Sequence, residues 1–161
     1  MTLINKESVS YSLWLMPSGL KFNELQKLIN HYSLSLKSPF FHPHVTLCGG
    51  FYGNYKNILY KAEKISRIIK PFHIRFNNIG SSNQFFYSIF LNVILDSKLR
   101  MAREIACEYF YDKRRIYKPH LSLAYGNFSS KQKEIAINKK ININGFFFDK
   151  ITLANNNEIN L

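Results

Sequence analysis

Acidic side chains are scarce in this chain: 10 Asp and Glu stand against 22 Lys and Arg, a formal net charge of +12. That imbalance argues against cationic ligands and favours anionic partners through long-range attraction. The basic residues do not gather into a tail. Lys56, Lys61, Lys64, Arg67 and Lys70 lie apart from Lys113, Arg114 and Arg115, which excludes a disordered nucleic-acid-binding arm and leaves much of the charge as solvated surface. Cysteine is almost absent. Cys48 and Cys107 have no C-x-x-C spacing, so a disulfide framework is excluded and both are expected as reduced thiols in a cytoplasmic protein. No apolar run approaches the roughly 20 residues needed to span a bilayer; residues 85–95 come closest. The first ten residues carry no apolar stretch of the kind found in a secretory signal. Also missing are linkers and low-complexity stretches, so residues 1–161 read as a single domain, expected as a monomer.

What is present suffices for one packed core, with 46% hydrophobic and 16% aromatic residues. Tyr11 to Met16 forms a strand pattern stopped by Pro17-Ser18-Gly19, and Phe22, Leu25, Leu28, Ile29 and Tyr32 then recur at helical spacing. Residues 41–47 read as a second strand, followed by a turn at Cys48-Gly49-Gly50 and Gly53. Tyr55, Ile58, Leu59, Ala62 and Ile65 give a second helix that Pro71 ends. Residues 72–78 and 85–95 read as antiparallel neighbours joined by a hairpin connection at Gly80-Ser81-Ser82-Asn83. Leu99, Ala102, Ile105, Ala106, Tyr109 and Phe110 mark a third helix, and residues 120–125 a strand. Ser129 with Gln132 offers a capping box for a short helix, and residues 145–153 a last strand.

One pattern occurs twice, close to half a chain length apart: Pro43-His44-Val45-Thr46-Leu47 and Pro119-His120-Leu121-Ser122-Leu123. Strand side chains alternate, so His44 and Thr46 share one face while Val45 and Leu47 take the other; His120 and Ser122 do the same against Leu121 and Leu123. Each strand then offers an imidazole and a hydroxyl about 7 Å apart. Two such faces across a cleft suit a phosphodiester. One imidazole near its ordinary pKa of about 6.5 accepts a proton from water and another donates one to the leaving oxygen. Thr46 and Ser122 hydrogen-bond the non-bridging oxygens as charge builds there. This chemistry asks for no metal and no cofactor. A single His-x-Thr arises easily in a five-histidine chain; a duplicated five-residue pattern does not.

The paired motifs resemble those of the two-histidine (2H) phosphoesterase superfamily. Ser12-Leu13-Trp14-Leu15, Phe85-Phe86-Tyr87-Ser88-Ile89-Phe90-Leu91 and the extension Ala124-Tyr125 are similar to its cyclic phosphodiesterase branch. The resemblance implies an α+β fold that is bilobal, with two antiparallel sheets lining a central cleft, helices outside, and pseudo-symmetric lobes. It implies metal-independent hydrolysis of a small anionic nucleotide such as a nucleoside 2′,3′-cyclic phosphate or ADP-ribose 1″,2″-cyclic phosphate. By the same likeness His120 activates water, His44 protonates the leaving oxygen, and Thr46 and Ser122 hold the phosphate.

Trp14, Phe86 and Tyr125 are candidates to stack on a base. Phe86 has a claim to the cleft because it lies on the mixed face of its strand pattern, opposite Phe85, Tyr87 and Ile89. Lys118 and Arg115 are placed to draw an anion to the second motif. A zinc site built from His42 and His44 with His73 or His120 is the competing use of these histidines, but it leaves the hydroxyls unexplained. His31 and His73 otherwise read as bystanders. Two further readings keep the fold: cleavage of signalling oligonucleotides, cyclic or 2′,5′-linked, in immune evasion, and non-catalytic binding of RNA ends.

Overall fold

The computed structural model describes residues 9–111 and 116–158. Six strands and four helices follow one another: β1 (Ser10–Pro17), α1 (Gly19–Leu36), β2 (Val45–Tyr52), α2 (Tyr55–Ile68), β3 (His73–Gln84), β4 (Tyr87–Val93), α3 (Ser97–Phe110), β5 (His120–Ala124), α4 (Ser130–Ile137) and β6 (Gly145–Asn155), with a short 3-10 turn at Asn156–Glu158. The helices form where the apolar spacing predicts them. Leu25, Ile29 and Tyr32 of α1, Ile58, Ala62 and Ile65 of α2, and Leu99, Ala102 and Ala106 of α3 are the buried stripes. The starts of α2, α3 and α4 are fixed by side-chain caps: Asn54 accepts from the Lys56 and Asn57 amides, Asp96 from the Leu99 amide, and Ser129 with Gln132 completes the expected capping box. Among the described residues no helix is long and apolar enough to cross a membrane.

The strands pair antiparallel in the order β1-β2-β5-β4-β3-β6, and β6 closes the ring by pairing with both β1 and β3. The two expected sheets are thus joined edge to edge, and no strand edge is left open among them. Alternation sorts the faces. Leu13 and Leu15, Val45 and Leu47, Leu121 and Leu123, and Phe146 and Phe148 are all buried in one core, to which α1 contributes beside β5 and α3 beside β2.

The bounds of β2, β3 and β4 differ from the sequence expectation. The second strand begins at Val45, four residues later than residue 41, and runs through Cys48-Gly49-Gly50 to Tyr52 instead of turning there. Gly50 (φ +72°) is the extra residue of a bulge between the Tyr11–Phe51 and Ser12–Gly49 pairs. Gly49 permits the close approach of β1, because a Cβ there would stand 2.2 Å from Ser12 Oγ. The glycines serve strand pairing and not a reversal. The β3–β4 hairpin likewise turns at Phe85 and Phe86, while Gly80-Ser81-Ser82-Asn83 continues the strand. Gly80 pairs with Phe90, whose ring occupies the space a side chain would need, so tertiary packing overrides the turn-like composition. β4 accordingly spans Tyr87–Val93, shorter than residues 85–95.

The ring's seam, His73–Arg75 of β3 against Gly145–Phe147 of β6, depends on a third glycine. Gly145 has φ +151°, and a Cβ on it would lie 2.0 Å from the Ile74 carbonyl oxygen. Gly145→Ala is therefore expected to destabilise the domain by about 2–3 kcal/mol through strain and overpacking. Urea unfolding followed by tryptophan fluorescence measures this, and a midpoint equal to wild type contradicts a strained seam.

Candidate active site

β2 and β5 touch at one antiparallel pair, Val45 with Leu121, both fully buried. One step to either side, antiparallel geometry sets Thr46 across from His120 and His44 across from Ser122. The two motifs are thereby related by a local two-fold through the Val45–Leu121 pair, and their four polar side chains fall on one face.

The same symmetry governs the rings. His44 Nδ1 bonds the His42 carbonyl at 2.7 Å, and His120 Nδ1 bonds the Lys118 carbonyl at 2.9 Å. A carbonyl oxygen only accepts, so in both residues Nδ1 carries hydrogen and donates. Nε2 is therefore the titrating nitrogen of each neutral ring, the tautomer needed to take a proton from one group and return it to another.

The surroundings are not symmetric. Trp14 stacks face to face on His44 (3.7 Å between centroids, 12° between planes), with Phe41 edge-on. His120 instead meets Tyr87 and Phe90 edge-on. The protein encloses both rings, and neither keeps the ordinary pKa assumed from the sequence. Burial lowers His44 to about 4, against a smaller upward effect of its hydrogen bond to the His42 carbonyl and with a further downward push from His120. Burial lowers His120 as well, opposed by its bond to Lys118.

A cavity of about 530 Å³ is lined by His44, Thr46, His120 and Ser122 together with Trp14, Phe86 and Tyr125. The structure thus brings together every side chain that the sequence nominates for chemistry or stacking. Their placements differ from expectation in detail. Phe86 sits in the hairpin turn, 56% exposed at the cavity mouth, and meets Tyr125 edge-on at 5.5 Å. Tyr125 is buried against Phe41, and burial pushes its phenol to about 12, so it stays protonated beside Ser122. Trp14 has one ring face occupied by His44, which makes it a support for that imidazole.

Ser12, Gln84, Phe85, Tyr87 and Asn156 complete the lining, and the sequence pattern does not nominate them as site residues. Period-2 alternation with Trp14 carried a signal for Ser12; nothing local marks Gln84, brought in by the displaced hairpin turn. His42 turns to Gln26 at 2.9 Å and does not line this cavity. His31 bonds Lys139 on the surface, and His73 belongs to the distant seam. Cys48 is buried and Cys107 half-buried. Arg115 lies outside the described residues.

Residues 9–152 match the family model described as cyclic phosphodiesterase-like protein. No curated protein matches the sequence. Among solved structures the chain is similar to a phosphoesterase (TM-score 0.58, 11% identity, 91% of this chain and 87% of that one). It is also similar to E. coli LigT, both in complex with NADP+ (TM-score 0.58, 12% identity, 91% and 87% covered) and in complex with 3′-AMP (TM-score 0.56, 12% identity, 91% and 87% covered). At such identities these likenesses establish the shared α+β fold. The family match spans the cavity's strands and both histidine motifs, and by it this chain belongs to the cyclic phosphodiesterase-like proteins of the 2H phosphoesterase superfamily.

Proposed function

We propose that the protein is a metal-independent phosphodiesterase that hydrolyses a cyclic phosphodiester on a small nucleotide, such as a nucleoside 2′,3′-cyclic phosphate or ADP-ribose 1″,2″-cyclic phosphate. The observation that carries this reading is the pair of imidazoles held by Nδ1 to main-chain carbonyls, each with a hydroxyl across from it in one cavity. Family membership and the LigT-like fold support the phosphodiesterase class; the complexes of LigT with 3′-AMP and NADP+ agree with a nucleotide-sized ligand.

In the reaction, one neutral Nε2 takes a proton from water as the water oxygen bonds to phosphorus. The bond from phosphorus to one ribose oxygen breaks, and the other imidazole, protonated, supplies that oxygen's proton. The product is a phosphomonoester beside a free hydroxyl. Thr46 and Ser122 donate to the non-bridging oxygens, whose charge rises in the transition state.

The unequal burial supports a division of roles. His44, 8% exposed and lowered to about 4, is neutral near pH 7 and suits the base. His120, half-buried, is the less desolvated ring and suits the acid. This reverses the assignment that the family resemblance suggests. Because burial lowers both rings, the protonated partner is sparse in the free protein at neutral pH, and the phosphodiester anion itself favours the imidazolium once bound.

In EDTA, wild type is expected to cleave, His44→Ala and His120→Ala to lose about 10²–10⁴-fold, and Thr46→Ala and Ser122→Ala about 10²-fold. Chromatography of the products reads the outcome; activity that survives both histidine changes, or that chelation abolishes, refutes the mechanism. The pH profile follows from the lowered rings. kcat/KM is expected to fall with rising pH from below 6.5, about tenfold per unit as the free enzyme's acid deprotonates, whereas the same limb in kcat lies at higher pH. Coincident limbs would mean that bound substrate does not restore the proton. The roles separate on a nucleoside p-nitrophenyl phosphodiester, whose phenolate leaves without a proton. His120→Ala should retain most activity on it and His44→Ala should not, and the opposite pattern returns the base to His120.

A further inference from the structure

α2 buries one stripe and presents another that the core does not use. Ile58, Ala62 and Ile65 face inward. Lys56, Tyr60, Lys64 and Arg67, spaced four, four and three residues apart, make a ridge on the opposite side of the helix. All four are exposed, Tyr60 to 58%. Cation, ring and cation thus follow at steps of about 6 Å along the axis, the scale of one nucleotide in an extended strand.

The cations of this face lie against rings. Lys64 Nζ stands 4.5 Å from the centre of the Tyr60 ring, and Lys61 Nζ stands 5.6 Å from Tyr111 and 5.7 Å from Phe110, at the end of α3. Glu63 is on α2 and Glu104 and Glu108 are on α3, yet among the described residues none of them pairs with Lys56, Lys61, Lys64 or Arg67. The four charges are therefore not neutralised within the protein. Tyr111 closes α3 at φ 52°, a left-handed position that favours glycine. A tyrosine stands there instead, its ring 78% exposed. An ammonium covers one face of a ring, so a base can stack on the other.

We propose that this α2–α3 face binds single-stranded nucleic acid, with phosphates meeting Lys56, Lys61, Lys64 and Arg67 and bases stacking on Tyr60 and Tyr111. Positive charge interleaved with exposed rings is the combination that a single strand engages. A duplex keeps its base faces within its own stack and leaves the rings without partners. An anionic membrane needs an apolar helix face to take up, and the apolar stripe of α2 is committed to the core. None of the six residues lines the cavity of the paired histidines or the cavity next to it. The face is thus a separate site, and the proposal does not depend on the phosphodiesterase reading.

The test is fluorescence anisotropy with labelled oligodeoxyadenylate, its 2′-O-methyl RNA counterpart and the corresponding duplex, beside sedimentation with vesicles of phosphatidylcholine and phosphatidylserine. Wild type is expected to bind the single strands with Kd about 10⁻⁶–10⁻⁴ M and a log–log salt slope of about −3, four phosphate contacts at about 0.7 each. Whichever single strand binds more tightly identifies the sugar. Lys61→Gln/Lys64→Gln should reduce the slope by about 1.4. Tyr60→Ala and Tyr111→Gly should each weaken binding about tenfold. Tyr111→Gly also relieves the left-handed backbone, so its Tm should equal or exceed that of wild type, and its lost affinity is then no loss of fold. The charge-matched control Lys131→Gln/Lys140→Gln, at and beyond α4, should leave affinity and slope near wild type. An equal loss in that control ascribes binding to net charge and overturns the proposal. So do absence of single-strand binding, a duplex or vesicle bound as tightly, and binding that falls in Thr46→Ala/Ser122→Ala but survives the α2–α3 changes, which puts the strand in the cavity.

Discussion

The site hangs on the antiparallel pairing of Val45 with Leu121. β2 and β5 are far apart in sequence, and a single buried pair is all that joins them in the ring. Because side chains alternate along a strand, that register presents the four polar residues of the two motifs together; a slip of one residue would turn one motif into the core and its leucines into the cavity. Two burdens follow from so short a ladder. The β2 carbonyls beyond it need other donors, which Tyr117 and Arg103 supply. The rest of the ring must hold the strands in place, which makes the β3–β6 seam at Gly145 relevant to a cavity it does not touch.

Enclosure that orients the imidazoles also disfavours their charged forms. Trp14 and Phe41 fix His44 and exclude water from it, and the same exclusion brings its pKa to about 4. A site of two histidines with no lining carboxylate among the described residues supplies no negative charge of its own. In the proposed reaction an anionic substrate is the counter-charge that permits one proton on the pair, which couples binding to competence for catalysis. The repulsion of His44 by His120 works in the same direction, since it opposes double protonation.

Much of this was legible in the sequence because it depends on local pattern. Helical spacing marked the buried faces of α1, α2 and α3, and duplication of Pro-His-x-hydroxyl-Leu marked His44, Thr46, His120 and Ser122, though not Ser12, Gln84 or Asn156 of the same cavity. What was not legible depends on partners distant in the chain. Gly49-Gly50 and Gly80-Ser81-Ser82-Asn83 have turn composition, yet the nearness of Ser12 and Phe90 across the ladder keeps both within strands. Moving the hairpin turn to Phe85 and Phe86 changes the reason Phe86 reaches the cavity: it stands at a turn over the mouth, and strand alternation has no part in it. Trp14 as the support of His44, Arg103 and Tyr117 as donors to β2, and the lowered histidines all follow from burial, which no local window reports.

A duplicated motif yields two equivalent residues, whereas opening a diester needs one acid and one base. The local two-fold gives each ring the same tautomer and a facing hydroxyl, Ser122 for His44 and Thr46 for His120, so the larger difference comes from what lies outside the repeats. In the first half that is an indole lying flat on the imidazole; in the second it is Tyr87 and Phe90 edge-on, with a further cavity of about 510 Å³, lined also by Tyr117 and Lys118, opening beside the ring. Flat stacking of the indole on an imidazole buried in the core strips water from His44 and favours its neutral form. An imidazole next to an open cavity retains more solvation, and with it more of its basicity. In the proposed reaction the asymmetry that divides acid from base is thus the difference in enclosure, and His120 borders both cavities because it is the ring the core encloses less.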